Sequence, residues 1–433
     1  MNQTVDIKRF VDIPIDYSWS FSDKTIKHTS YITHGYYTYP AKFIPQLAER
    51  LILEYSKAGD IVVDPFMGSG TTIVEAILNK RKAVGVDINN IAYLITKVKT
   101  TPLNSKQLQD EFGKLYFDIE VRTNGQIDLF LEQASDNIPQ NERIDYWFNK
   151  EQKEKLSIIF FRLLEIKNID IRDFFLVAFA QILKSSSIWL QKSVKPTRDL
   201  NKKIENPISL FYKQAKKMIK RHSEFEKLLP ENIKSNINEF RLVKCDDSRN
   251  LPCENKKASL IVTSPPYVTS YEYADLHQLP SLWFSYFEQL SEFRKKFIGS
   301  AYNDRNEIEL QSGLAEEIVQ KLGNNKKGRE VKNYFADMLE SFIEMKRVLK
   351  KGGLACIVIG NTRFQGVDIL NAEVFQEQFE SIGFNTYDII HREIPSKMLP
   401  STRDTETGQF VKVTNKKLKL AYPTEYILIM EKL

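Results

Sequence analysis

The hydrophobic positions of the chain change period several times, and each change marks an element. In PAKFIPQLAERLILEYSKAG, residues 40–59, apolar side chains recur every three or four positions, the spacing of a helix with one buried face. DIVVDPF (60–66) is a β-branched run that reads as a buried strand, closed by the glycine turn MGSG (67–70). TTIVEAILNKRK returns to helical spacing and AVGVDI (83–88) to a strand, which makes a β-α-β unit with glycines where strand passes to helix. From Thr101 to Phe240 the runs KLSIIFFRLLEI, DFFLVAFAQILKSSSIWL and NPISLFYKQAKKMIKRHSEFEKLL keep the helical period with little glycine, and predict a helical insertion.

Strand patterns resume with RLVKC (241–245) and SLIVTS (259–264), the second stopping at a Pro-Pro pair that cannot continue a ladder. LACIVIG (354–360), NTYDIIHREI (385–394) and EYILIMEKL (425–433) follow, with helical runs at 334–353 and 374–383 between them. Strands alternating with helices predict an α/β fold with a mostly parallel open sheet, the last two strands forming an antiparallel pair at one edge. The chain then divides into residues 1–100, an insertion at 101–240 and residues 241–433. Ser291–Lys332 and Ser396–Pro423 are polar and poorly periodic, and read as loops.

Composition narrows the class. With 433 residues, 42% of them hydrophobic, the chain can bury a full core. It has no apolar stretch of the ~18 residues that span a membrane, and it starts too polar for a signal peptide, so a cytoplasmic protein is expected. Three cysteines without a CxxC pair, and five histidines, give neither a disulfide framework nor a zinc cluster, and no metal is expected. The net charge is only +6, yet Leu190–Arg221 carries ten basic residues against two acidic ones. Within it Lys192, Lys195, Arg198, Lys202 and Lys203 are candidate phosphate contacts, the alternative being a solvated face. Trp189 and Phe211 flank this block with the spacing of core aromatics.

Two constellations carry chemistry. Asp64-Pro65-Phe66-Met67-Gly68-Ser69-Gly70-Thr71-Thr72 stands where a strand hands over to a helix, the crevice at which open α/β sheets bind ligands. No lysine follows the second glycine, so it is not a phosphate-binding Walker loop. Asp87 ends the next strand, where an acid can accept the hydroxyls of a ribose; the alternative is a cap for the helix that follows. The second constellation, Thr263-Ser264-Pro265-Pro266-Tyr267, also sits at a strand end.

These residues resemble the amino-methyltransferases of DNA, in which DPFxGSGTT is the cofactor loop and a D/N/S-P-P-Y/F/W tetrapeptide is catalytic. The resemblance covers 33–98 and 242–433 and implies a class I, Rossmann-like methyltransferase fold using S-adenosyl-L-methionine. It implies cofactor contacts from Asp64, Pro65, Phe66, Gly68, Ser69, Gly70, Thr71, Thr72, Asp87 and Ile88. HGYYTYPAKFIPQLAERLI (34–52) resembles the helix-forming motif that packs on the methionine part of the cofactor, through Tyr39, Pro40, Lys42 and Phe43. Cys245-Asp246-Asp247-Ser248-Arg249-Asn250-Leu251 resembles a G-D-S-R-x-L stretch but lacks its glycine. Asp246 and Asp247 are thus both candidates for the adenine end, the Asp-Ser-Arg match favouring Asp247.

By the same resemblance Ser264, Pro265, Pro266 and Tyr267 are catalytic. An exocyclic base amine is a poor nucleophile because its lone pair is delocalised into the ring. Ser264 Oγ and the Pro265 carbonyl can accept from its two N–H groups, and Tyr267 offers a face on which an extruded base can stack. A serine in first place implies cytosine N4 as the acceptor, in double-stranded DNA at a specific site, with adenine N6 as runner-up. An RNA amine methyltransferase and a catalytically silent nucleic-acid-binding subunit are the remaining alternatives. A restriction-modification setting would supply a cognate endonuclease as partner. Cys253, a decoy for a carbon-5 nucleophile, precedes the catalytic strand and is expected in a loop or minor core position. Tyr271, Tyr273, Arg363 and Phe364 are further candidates for the base pocket.

Overall fold

Burial decides where the strands fall. The computed structural model describes residues 8–40, 42–124, 138–193, 195–268, 273–300, 308–395, 402–404, 418–420 and 423–433. Its strands are Ile61–Asp64 (β1), Lys82–Asp87 (β2), Arg241–Cys245 (β3), Ala258–Thr263 (β4), Leu349–Ile359 (β5), Thr362–Phe364 (β6), Val367–Ile369 (β7), Phe384–Glu393 (β8), Thr402–Asp404 (β9), Leu418–Leu420 (β10) and Thr424–Lys432 (β11). Every residue of β4 is buried, as are the last three of β1, which is why these runs are apolar without alternation.

Seven strands form one sheet in the order β3-β2-β1-β4-β5-β11-β8. β3, β2, β1, β4 and β5 are parallel, with Asp64 opposite Gly85 and Thr263 opposite Ile357. β11 runs antiparallel to both β5 and β8. The antiparallel strand is therefore one in from the edge, and β8 is the edge itself. β6 and β7 make a hairpin beyond the end of β5.

Ten helices matter for the site: Pro45–Tyr55 (α1), Thr71–Leu78 (α2), Asn90–Thr100 (α3), Ser105–Asn124 (α4), Lys150–Leu164 (α5), Ile169–Ile182 (α6), Pro207–Leu228 (α7), Gly313–Leu322 (α8), Lys326–Val348 (α9) and Asn371–Ser381 (α10). Pro45 opens α1, where its missing N–H costs nothing. The elements described between α3 and β3 are helical, and bury their own core of Phe160, Phe174, Phe175, Phe179 and Phe211 together with Trp147 and Trp283. Trp189 and Phe211 are buried there.

The stretch 291–332 departs from the expected loop. α8 buries Leu314, Ala315, Ile318 and Leu322 at helical spacing, and the Ser312 side chain accepts from Ala315 N to start it. Four core positions in so short a run, interrupted by Glu316 and Glu317, are a weak periodic signal. In 396–423, β9 and β10 pair with each other outside the main sheet and Pro423 O accepts from Ile394 N; the remainder lies outside the described residues. No described helix is long and apolar enough to cross a membrane.

Candidate active site

The glycine loop is shaped from behind. Gly70 adopts φ +72°, a left-handed conformation, and a Cβ there would stand 2.6 Å from the Thr96 side chain of α3, so both backbone and space call for glycine. Thr96 Oγ1 donates to Gly68 O at 3.1 Å, and the buried Lys99 ammonium donates to Ser69 O. With two loop carbonyls tied back to α3, the loop turns its other face towards the sheet's carboxyl end. Gly68 N donates to Asp87 Oδ2 at 2.9 Å, which locks the loop to the end of β2.

Asp87 is not the helix cap. That role belongs to Asn89, whose side chain accepts from Ile91 N at 2.9 Å, while Asp87 Oδ1 accepts from Asn89 N at 2.9 Å. Burial pushes the Asp87 carboxyl up to about 6. It is still a carboxylate at neutral pH, and each oxygen has a lone pair left for a ligand hydroxyl.

One cleft of about 920 Å3, counting space open to solvent, runs between the two motifs. It is lined by Tyr39, Pro40, Lys42, Phe43, Pro65, Phe66, Gly68, Ser69, Thr71, Asp87, Ile88 and Asp247, and by Ser264, Pro265, Pro266 and Tyr267. Asp64, Gly70, Thr72 and Asp246 are not among the lining residues. Asp64 and Thr72 instead join strand ends, Asp64 Oδ1 accepting from Thr263 Oγ1 at 2.6 Å and Thr72 Oγ1 donating to Val262 O at 3.1 Å. Asp246 turns its carboxylate to the backbone N–H of Asp247 at 2.8 Å. Asp247 is paired with Arg249, which also meets Asp337 at 2.8 Å.

The same cleft includes Met67, Ser248, Lys296, Phe297 and Ile298, which the sequence did not single out. The last three follow a short helix, Leu290–Lys295, inside the stretch expected to be loop. Lys42 donates to His34 O at 2.9 Å, and burial lowers it to about 8, so it remains a cation at neutral pH. Tyr39 stacks on His277 with ring centroids 4.6 Å apart, and burial lowers that imidazole to about 3, leaving it neutral. Behind the tetrapeptide, Tyr334 donates to Pro266 O at 2.8 Å and Tyr267 to Glu425 Oε2 at 2.9 Å.

The basic block divides. Ile188–Asp199 is a loop closed by Leu190 N to Thr197 O and Asp199 N to Ile188 O, both 2.8 Å, and it carries the exposed Lys192 and Lys195. Arg198 lies 4.2 Å over the Tyr146 ring, and Lys203 is exposed. Lys202 differs: its ammonium donates to Lys184 O at 2.8 Å and Trp189 O at 2.7 Å, closing the neck of the loop, and burial lowers it to about 8. Gln278 Oε1 accepts from Arg143 and Trp147, so the chain just past the tetrapeptide is fastened to the helical core under this loop. Cys253 is half-buried and packs on the core away from the cleft. Arg363 and Phe364 lie in the β6–β7 hairpin and are not among the lining residues. Tyr271 and the Tyr273 side chain lie outside the described residues.

A family model for DNA methylases of the N6/N4 methyltransferase class matches residues 8–98 and 258–433, more than half of the chain. The chain belongs to this family. DNA methyltransferases of the family take their methyl group from S-adenosylmethionine, and DNA is the substrate. The two matched blocks hold the glycine loop and the Ser264–Tyr267 tetrapeptide, and they leave the helical part unmatched. Among relatives, the type II methyltransferase M.MvaI of Kocuria varians is 27% identical over 86% of this chain and 87% of its own length. The type II methyltransferase M.BsoBI of Geobacillus stearothermophilus is 24% identical over 82% and 79%. The DNA adenine methyltransferase YhdJ of Escherichia coli is 35% identical over 20% of this chain and 29% of its own.

The cleft of the methylase fits the donor. Ser69 Oγ and Thr71 Oγ1 are buried at its wall without a hydrogen-bond partner among the described residues, two polar atoms left for a ligand. Lys42 in the lining matches a carboxylate, and Asp87 in the same lining matches vicinal hydroxyls.

Proposed function

We propose that the chain transfers a methyl group from S-adenosylmethionine to the exocyclic N4 of cytosine at a short, specific sequence in duplex DNA, as the modification activity of a type II system. The observation that carries the reading is the single cleft in which the glycine loop, Asp87 and Ser264-Pro265-Pro266-Tyr267 face one another. When bound, S-adenosylmethionine supplies an electrophilic methyl group on a sulfonium sulfur. Lys42 would hold the methionine carboxylate, Ser69 and Thr71 the polar atoms near it, Asp87 the ribose hydroxyls, and Ile88 with Asp247 the adenine side.

The remaining work falls to the tetrapeptide. Ser264 Oγ and the Pro265 carbonyl accept from the two N–H groups of the target amine, which localises its lone pair. Bond formation from nitrogen to carbon accompanies cleavage of the carbon–sulfur bond, and the surplus amine proton leaves through the open side of the cleft. Tyr267 holds the extruded base by its ring face. Ser264 is shorter than the Asp or Asn that other members of the resembled family carry, and neutral where Asp is charged, and that difference supports cytosine over adenine.

The helical part, 101–240, is the candidate recognition region. Lys192, Lys195, Arg198 and Lys203 project from it as phosphate contacts, while the bonds of Lys202 argue for a structural role. A partner endonuclease would cut the same sequence unmethylated. The test is base-resolved sequencing of DNA from cells expressing the chain: N4-methylcytosine at one sequence is expected. N6-methyladenine would move the acceptor to the purine, and unmodified DNA would refute the activity.

A further inference from the structure

We propose that Glu425 and Arg392, on the last two strands of the sheet, are positioning residues that fix the ring of Tyr267 for the target base. The proposal rests on the reading of Tyr267 as the face on which that base stacks. Tyr267 follows β4 and Glu425 lies near the start of β11, with β5 between them. Two strand spacings are roughly 9–10 Å, so the phenol must cross the end of β5 to reach its acceptor.

It crosses at Gly360. A Cβ at that position would stand 3.2 Å from Tyr267 Cε2 and 3.5 Å from its hydroxyl oxygen, so a larger residue would push the ring out of its path. The hydroxyl then donates to Glu425 Oε2 at 2.9 Å. The other carboxylate oxygen meets Arg392 Nη1 at 3.3 Å, and Arg392 is the direct cross-strand partner of Glu425 in the β8–β11 ladder. Arg392 and Glu425 are only 3% and 8% exposed. The acceptor is thus an ion pair set in the sheet, and it holds the phenol in one orientation before a base arrives. From the opposite side Tyr334 pins the carbonyl of Pro266, one residue earlier. The antiparallel end of the sheet, far in sequence from the tetrapeptide, thereby becomes part of the site.

The test compares Tyr267→Phe, Glu425→Gln, their combination and Tyr267→Ala in single-turnover methyl transfer with saturating cofactor and DNA. Thermal melting and cofactor calorimetry accompany each variant. Tyr267→Phe keeps the ring and removes the bond, and Glu425→Gln keeps the shape and removes the charge. Each is expected to slow transfer about tenfold, with cofactor affinity and KM for DNA unchanged, and the double variant to be no slower than the slower single. Tyr267→Ala should lose far more. Loss in Tyr267→Ala with wild-type rates in Tyr267→Phe and Glu425→Gln would overturn this proposal and leave the role of the ring standing. A wild-type rate in Tyr267→Ala would overturn both. Losses that multiply in the double variant would also overturn it, because once the phenol hydroxyl is gone the charge of Glu425 has no bond to Tyr267 left to strengthen. If Glu425→Gln fails to fold, the rate of Tyr267→Phe decides: tenfold slower supports the proposal, wild type overturns it.

Discussion

Thr263 Oγ1 donates a 2.6 Å hydrogen bond to Asp64 Oδ1, joining the strand end that leads into the glycine loop to the strand end that leads into Ser264-Pro265-Pro266-Tyr267. Both residues are buried, and burial pushes the Asp64 carboxyl up to about 6. Donor half and acceptor half of the site are thus tied by this bond, beside the β1–β4 ladder and the Thr72 Oγ1 to Val262 O bond.

Thr263→Val keeps the shape and removes that donor. A buried carboxylate left short of a bond costs about 1–3 kcal/mol, to be read by urea denaturation at pH 8. The folded-state value lies above the ordinary Asp value of 3.8, so the folded form binds its proton more tightly than the unfolded chain and stability from this group declines as pH rises through about 6. Losing Thr263 moves Asp64 higher still. The penalty should accordingly be larger at pH 8, where the group is charged, than at pH 5, where it is protonated in the folded state.

Asp87 sets a pH limit on cofactor affinity. Its carboxyl titrates near about 6, and hydroxyl recognition needs the carboxylate, so the affinity for S-adenosylmethionine should be level above pH 7 and fall as pH drops through 6. Asp87→Ala should weaken binding by about 1.5–3 kcal/mol and abolish the step, and it should also lower the melting temperature, since it leaves Gly68 N and Asn89 N without their acceptor. Calorimetry across pH 5–8 reads both effects.

Two kinds of lysine in one charged block should separate in a salt titration. Replacing Lys192, Lys195 and Lys203 with alanine should weaken binding to specific and unrelated duplexes alike and flatten the logarithmic salt slope by about 0.9 per lost contact. Lys202→Ala should lower the melting temperature instead, since it leaves the carbonyls of Lys184 and Trp189 unpaired. An unchanged slope in the triple variant would place the phosphate contacts elsewhere.

The contrast between these lysines shows what the sequence carries. Charge along 190–221 is legible, but which ammonium turns inward depends on carbonyls that the closed loop at Ile188–Asp199 brings together. The β-α-β unit and its loop were readable because strand, glycine turn and helix are local patterns, and Asp87 stands at the next strand end. Asn89 as the true cap was a two-residue matter, hidden only because Asp87 and Asn89 are both good caps. Lys296, Phe297 and Ile298 reach the cleft from a segment whose helices are too short for a clear period. Glu425 and Arg392 gave no signal, because their relation to Tyr267 exists only once β11 is inserted between β5 and β8.

The purified chain, incubated with methyl-labelled S-adenosylmethionine and mixed-sequence duplex DNA, should yield label in N4-methylcytosine after digestion to nucleosides and mass spectrometry, and Ser264→Ala should lose that product while still binding cofactor. Label in 5-methylcytosine would overturn transfer to the amine, because a ring carbon offers no N–H groups from which Ser264 and Pro265 could accept.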